Sequence, residues 1–200
     1  MDEQVRSTTF TPHPESRIDP DIAELLDALA GVLAYPEAGW RARLESCRDR
    51  ARRISCAGVA LLEQFCEATQ GNTRTDLEER YINTFDLNPA CTLDLGWHLF
   101  GEDYNRGLYL VKLRRELRIH GIAETQELPD HLTQALRLLG RMDAAGATDF
   151  AASCVMPALE KTIGALPADN PYRGLLEAVM MTLGAAFGPV TEECEHGATA

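Results

Sequence analysis

The 200-residue sequence has little basic charge: 19 lysines and arginines stand against 31 aspartates and glutamates, for a net charge of −12. Nucleic-acid-binding domains usually carry a basic surface, so this balance argues against DNA or RNA as a partner. Long apolar runs are also missing, and none approaches the roughly 20 residues that a membrane-spanning helix needs. The opening stretch MDEQVRSTTFTPHPES has no apolar segment typical of export signals. We therefore expect a cytoplasmic protein that does not insert into membranes.

Redox and nucleotide-binding motifs are absent as well. The six cysteines include no C-x-x-C pair, and several fall on apolar helical faces, so we expect reduced thiols packed as small apolar side chains. No glycine-rich phosphate loop, dinucleotide fingerprint or nucleophile elbow occurs. Cys194 and His196 are two potential metal ligands near the C-terminus, which is too few to predict a metal site.

Strand patterns are missing too, because apolar residues recur three and four positions apart in nearly every segment. Asp19-Pro20 carries the signals of a helix start, and so does Asn170-Pro171. These patterns predict an all-α fold, a single compact helical domain of about nine helices at residues 18–188. We expect a disordered N-terminal arm at residues 1–17 and a disordered tail at residues 189–200.

Local signals place some helix boundaries inside this domain. Thr75 followed by Glu78 predicts a capping box at the start of one helix. A later helix is expected from Thr148 to about Leu166, and Pro157 should kink or break it because proline has no backbone N–H to donate.

The stretch HLFGEDYNRG, residues 98–107, concentrates polar groups at a predicted corner between two helices. Gly101 is expected to end the first helix in a conformation that favours glycine, and Asp103 to cap the second. Gly107 falls inside the second helix, where glycine is costly, so we expect another backbone to pack closely against it. Arg106 is positioned to clamp a nearby carboxylate or carbonyl.

The same corner allows a catalytic alternative. Asp94, His98 and Glu102 are spaced by four and would share one face of a continuous helix, as ligands in a helical metal-dependent enzyme. Gly101 weakens this alternative because it should end the helix before Glu102. A third possibility is a helical adaptor that binds an unrelated amphipathic segment.

The stretch ELPDHL, residues 127–132, predicts a well-defined helix start. Pro129 fixes its own backbone angle, and Asp130 can cap the helix that follows. A helix start accounts for Pro129 and Asp130, but it does not explain why Glu127 and His131 flank these two residues.

Three stretches, taken together, resemble one family. RYINTFDL, HLFGEDYNRGLYLV and ELPDHLTQAL follow in the order and spacing typical of the NarJ-type nitrate reductase assembly chaperones, which belong to the wider group that includes TorD and DmsD. LLDALAGVLAYPEAGW looks like the N-terminal helix of that family. The resemblance covers about Ile22 to Leu139.

The resemblance implies an all-helical chaperone that is not an enzyme. Members bind the N-terminal leader of the catalytic, molybdenum-binding subunit of an oxidoreductase, here most closely the nitrate reductase alpha subunit. They hold that subunit until its molybdenum bis(pyranopterin guanine dinucleotide) cofactor is inserted and the complex assembles. We expect no metal and no cofactor in the chaperone itself, and a monomer or weak dimer. His131 is expected to make release depend on pH.

A leader of this type has a basic stretch followed by an apolar one, so it can bind in a groove between helices with acids at its mouth. The expected acids are Asp86, Glu102, Asp103, Glu127 and Asp130. The expected partner-binding residues, in full, are Tyr81, Phe85, Asp86, His98, Glu102, Asp103, Arg106, Glu127, Pro129, Asp130 and His131, with Gly101 and Gly107 in structural roles.

Overall fold

Helices joined by short loops make up residues 17–188, the part of the chain that this computed structural model describes. The α-helices are α1 (Pro20–Leu33), α2 (Trp40–Arg53), α3 (Val59–Thr69), α4 (Arg74–Tyr81), α5 (Leu95–Phe100), α6 (Tyr104–Ile119), α7 (Leu132–Leu139), α8 (Ala144–Phe150), α9 (Met156–Ala165) and α10 (Pro171–Phe187). A π-helical turn, Ile82–Asp86, extends α4, and a 3₁₀ turn, Pro89–Cys91, precedes α5. Within these residues there are no strands, only isolated backbone bridges, which confirms the all-α prediction.

The count of about nine helices is also confirmed for residues 17–188, because α8 and α9 run on as one continuous helix. A second π-helical turn, Ala151–Val155, joins them directly before Pro157. The wider turn accommodates a proline that cannot donate a backbone hydrogen bond, so the helix does not break. It begins at Ala144, capped by Asp143, one turn earlier than the predicted start near Thr148.

Helix caps follow the predicted chemistry, with one correction. Asp19 and Asn170 cap α1 and α10 as expected. The capping box predicted at Thr75 and Glu78 is wrong. Thr73 caps α4 instead: its Oγ1 accepts from the Asp76 N–H at 3.2 Å, and the Asp76 carboxylate accepts from the Thr73 N–H at 2.7 Å. Thr75 already lies inside the helix.

Tyr172 of α10 sits at the centre of an aromatic cluster in the core. Its ring centroid lies 5.3 Å from that of Phe65, 6.1 Å from Tyr81 and 4.9 Å from Phe85. Tyr81 and Phe85 are each 3% exposed, so this cluster anchors the end of α4 and its π-helical turn. Helix α10 also packs on α3 and α9, while α1 packs on α2 and α7.

Two predictions about glycines had opposite outcomes. Gly101 ends α5 with φ of +61°, the left-handed conformation expected of it. The close packing expected at Gly107 is wrong, because Gly107 is exposed and a Cβ built there would meet no atom within 4 Å. Close approach occurs instead at Gly58, where a Cβ would lie 2.5 Å from the carbonyl oxygen of Ala178 in α10.

The five described cysteines are free thiols, as predicted: Cys47, Cys56, Cys66, Cys91 and Cys154. Burial raises the pKa of Cys47 to about 12, so its thiol is unreactive at neutral pH. Cys194, His196, the predicted tail and all of the predicted arm except Arg17 lie outside the described residues. Within residues 17–188, no helix combines the length and apolarity required to cross a bilayer.

Candidate functional site

Two chain segments that are distant in sequence pair side by side at the site. The Leu95 N–H donates to the Asp130 carbonyl at 3.0 Å, and the Leu132 N–H donates to the Leu93 carbonyl at 2.8 Å. This antiparallel contact fixes the segment before α5 against the segment before α7. It brings two of the three predicted motifs together, and the π-helical turn after α4 brings the third beside them.

Asp130 occupies the interior of this contact. Asp130 is 0% exposed, and its Oδ2 accepts a hydrogen bond from the Gly96 N–H at 2.9 Å. Its Oδ1 is buried and has no hydrogen-bond partner in the described part of the chain. The predictions that Asp130 caps α7 and that it stands at the mouth of a groove are therefore both wrong. His131 is the residue that caps α7, with its Nδ1 3.4 Å from the Thr133 N–H.

Arg106 fulfils the clamping role expected of it. One guanidinium nitrogen lies 3.2 Å from Oδ2 of Asp94, and Nε lies 3.9 Å from Oδ2 of Asp130. The same guanidinium stacks over Trp97, 5.5 Å from the ring centroid. Because these contacts come from α6, α5 and the loop before α7, Arg106 ties the corner together.

A cleft of about 460 Å³ opens beside this corner, and we call it the acid cleft. It is lined by Phe85, Asp86, Pro89, Thr92, Leu93, Asp94, Trp97, Arg106, Gln126, Glu127, Leu128 and His131. Three carboxylates thus share one cavity with aromatic and aliphatic side chains. Asp94 is the one of the three that forms an ion pair, with Arg106. In residues 17–188, neither Asp86 nor Glu127 lies within 4.0 Å of an arginine or lysine nitrogen.

Burial and crowding of like charge both act on these acids. Burial first, and then the neighbouring Asp94 carboxylate, raise the pKa of Asp86 above its usual value. The pKa of Glu127 is raised by burial and by Asp86 and Asp94. Burial, with a further contribution from Asp94, raises the pKa of Asp130 to about 6. The cleft is therefore a place where a cation would relieve repulsion.

His131 does not behave as the expected pH switch. It is 5% exposed, and burial together with Arg137 lowers its pKa to about 4, so the ring is neutral near pH 7. Its Nδ1 lies 2.7 Å from the Thr133 hydroxyl. The 4.0 Å approach of Nε2 to Glu127 is consequently not an ion pair at that pH.

His98 bridges α5 to other parts of the fold. Its Nε2 lies 2.8 Å from the Thr92 carbonyl, which can only accept, so Nε2 carries the proton. The Thr162 hydroxyl of α9 lies 3.0 Å from the same nitrogen. Residues 17–188 contain no group of three histidines, cysteines or acids arranged to hold a metal ion. The geometry does not support the metal-dependent alternative.

The remaining expected site residues lie outside the acid cleft. Glu102 and Asp103 are exposed at the start of α6, and Asp103 caps that helix through a 2.8 Å bond from the Asn105 N–H. Pro129 is buried behind the cleft. Tyr81 borders an adjoining cleft of about 770 Å³, which shares Asp86 and Glu127 with the acid cleft.

The acid cleft also contains residues that the sequence reasoning did not assign to partner binding. These are chiefly Asp94, which was considered only as a metal ligand, and Trp97 and Leu128. Trp97 follows Asp94 by three positions, so the two share a face of α5, which is a signal available in the sequence. Leu128 is 42% exposed and offered no such signal.

Comparisons with known proteins agree with the predicted resemblance. The sequence model of the nitrate reductase delta subunit family matches residues 55–166. The probable nitrate reductase molybdenum cofactor assembly chaperone NarJ of Bacillus subtilis (strain 168) is 30% identical over 107 residues, covering 52% of this chain and 58% of that protein. The nitrate reductase molybdenum cofactor assembly chaperone NarJ of Escherichia coli (strain K12) is 28% identical over 122 residues, covering 59% and 52%. The chain thus spans little more than half the length of these curated relatives.

Proposed function

The chain belongs to the nitrate reductase delta subunit family, and from this premise we propose that it is a cytoplasmic assembly chaperone without catalytic activity. Its client is the molybdenum-binding subunit of an oxidoreductase, the nitrate reductase alpha subunit in the first instance. The chaperone binds the N-terminal leader of that subunit and holds the subunit until the molybdenum cofactor is inserted. The names of the two NarJ relatives support the assembly role.

The acid cleft carries the proposal for the leader-binding site. Asp86 and Glu127 present carboxylates without arginine or lysine partners among the described residues, while Trp97 and Leu128 present apolar surface in the same cavity. A leader with a basic stretch followed by an apolar one matches both surfaces. The arginines would meet the two carboxylates, and the apolar side chains would cover the aromatic wall.

Asp94, Arg106 and Asp130 have a different role in this proposal. Arg106 is already engaged by Asp94 and approached by Asp130, and the Asp130 carboxylate accepts from the backbone of α5. These three groups therefore shape the cleft wall and hold Trp97 in place. They position the binding surface, and Asp86 and Glu127 contact the leader.

The proposal predicts an effect of pH on leader affinity. Because the pKa values of Asp86 and Glu127 are raised, both carboxylates take up protons at a higher pH than isolated acids would. Protonation removes the negative charge that attracts the leader. Affinity should accordingly fall as the pH is lowered below neutral.

Titration calorimetry with a synthetic leader peptide of the client subunit tests the site. The double variant Asp86→Asn with Glu127→Gln should bind at least about tenfold more weakly, since loss of roughly 1.4 kcal/mol corresponds to that factor. Glu102→Gln is a control, because it removes an exposed carboxylate that lies outside the cleft. Equal affinities for the double variant and the control would refute this location of the site.

A further inference from the structure

A second groove lies between α9 and α10, and we call it the methionine groove. Its volume is about 740 Å³, and its walls include Met156, Ile163, Met180, Met181 and Phe187. It shares no lining residue with the acid cleft. Three of these five residues belong to α10, which lies beyond the segment matched by the family model.

The composition of the groove favours a helical peptide ligand. Methionine side chains are flexible and polarisable, so they adapt to different apolar partners. Met181 is 46% exposed, so its apolar surface is available to a ligand. An amphipathic helix buries its apolar stripe in a groove of this kind between two helices.

The charged residues of the groove indicate which sign of charge the ligand carries. Glu160 and Glu177 are the only charged residues lining it among the described residues. Glu177 forms an ion pair with Arg173, whose Nε lies 3.0 Å from the Glu177 carboxylate, whereas Glu160 is exposed on α9. The rim is therefore negative, and basic side chains beside an apolar stripe complement it.

The ends of this chain do not match that description. The sequence continues from Gly188, at the edge of the groove, as PVTEECEHGATA, which contains three glutamates and no lysine or arginine. The sequence MDEQVRSTTFTPHPES at the other end has three acids and one arginine. Neither segment has the sequence of a basic amphipathic helix.

We propose that the methionine groove is a second docking site, which binds a basic amphipathic helix of a partner protein. The apolar stripe of that helix contacts Met156, Met180 and Met181, and a lysine or arginine of the helix faces Glu160. This inference does not rest on leader binding in the acid cleft, because the two surfaces have no residue in common.

The test uses a fluorescently labelled 15-residue helical peptide of leucine and lysine, titrated by anisotropy. The protein carries Asp86→Asn and Glu127→Gln throughout, so that the acid cleft contributes little. Adding Met181→Lys should weaken binding at least tenfold, because peptide binding would then bury an added positive charge. Glu160→Lys should weaken binding about fivefold. Met181→Leu, the matched control, should stay within twofold.

The outcomes separate this proposal from the proposed function. Unchanged affinity in Met181→Lys would overturn the methionine groove as the site, provided that circular dichroism shows an intact fold. Equal binding of a leucine and glutamate peptide would overturn the selection for basic partners. Neither result would affect leader binding, which is measured with a different peptide and depends on the carboxylates of the acid cleft.

Discussion

Replacing Gly96 with alanine should destabilise the protein by displacing a buried carboxylate. A Cβ at Gly96 would lie 2.5 Å from Oδ2 of Asp130, 3.1 Å from Cδ1 of Tyr109 and 3.3 Å from Cγ of Arg106. A contact of 2.5 Å is too short to persist, so Asp130 must move and lose its bond from the Gly96 N–H. Asp130 is fully buried and its other oxygen already lacks a partner, so the displaced carboxylate loses its one hydrogen bond to the described residues.

The size of the effect is the sum of two costs. Overpacking in a well-packed interior costs about 1–3 kcal/mol, and leaving a buried polar group unsatisfied costs about 1–3 kcal/mol. We therefore expect Gly96→Ala to lower the free energy of unfolding by roughly 2–6 kcal/mol. For a chain of this size, each kcal/mol shifts Tm by about 2–4 °C.

Gly107→Ala is the matched control for this prediction. Gly107 is also helical, but it is exposed and a Cβ there meets nothing within 4 Å. The same substitution should therefore raise the free energy of unfolding by about 1 kcal/mol, since alanine is favoured over glycine in helices. The two variants should differ by at least about 3 kcal/mol.

Urea unfolding followed by circular dichroism measures both variants. The explanation also requires that the cost of Gly96→Ala shrinks when Asp130 is replaced by alanine, because the clashing carboxylate is then gone. A Gly96→Ala protein that unfolds within 0.5 kcal/mol of the parent would refute the reasoning. So would an undiminished cost in the Asp130→Ala background.

Three further predictions follow from single contacts. The folded-state pKa of Asp130 is about 6 against an ordinary 3.8, so its contribution to stability is complete below pH 4 and is lost as the pH rises through 6. Asp130→Asn should remove roughly 3 kcal/mol of this decline, measured by urea unfolding at pH 4 to 7. A pH profile of stability unaltered by the substitution would contradict this prediction. Thr73→Ala should lower the free energy of unfolding by about 0.5–2 kcal/mol, whereas Thr75→Ala should change it by less than about 0.5 kcal/mol; the reverse order would restore the capping box first expected. His98→Ala should cost about 1–3 kcal/mol in thermal melting through loss of its bonds to Thr92 and Thr162, and a variant as stable as the parent would show that this bridge contributes nothing.

Much of the site could be anticipated from the sequence because its residues come from three short motifs. Phe85, Asp86, Arg106, Glu127 and His131 were all expected to bind the partner, and all five line the acid cleft. The motifs meet because backbone hydrogen bonds pair the segments before α5 and α7. Nothing in the spacing along the chain indicated that pairing.

The errors at Asp130 and Gly107 share one cause, which is that local patterns do not reveal what packs against a residue. Asp130 looks like a helix cap but faces α5, and His131 takes the capping position instead. Gly107 looks like a packing glycine, whereas Gly96 and Gly58 are the ones that neighbouring groups approach closely. Asp130 and Gly96 are 34 positions apart along the chain, Gly58 meets the distant Ala178, and Gly107 has no atom within 4 Å of a Cβ built there.

The sequence by itself determined that the described chain is helical and where most of its helices begin, because the 3.6-residue period and the caps depend on neighbours within one turn. Only the tertiary structure decided which acids face the acid cleft. Glu127 and Asp130 are three positions apart, yet one opens into the cleft and the other is fully buried, since Asp130 meets the Gly96 N–H from 34 positions away. Burial is set by such distant contacts, and they in turn set both the charge and the accessibility of each carboxylate.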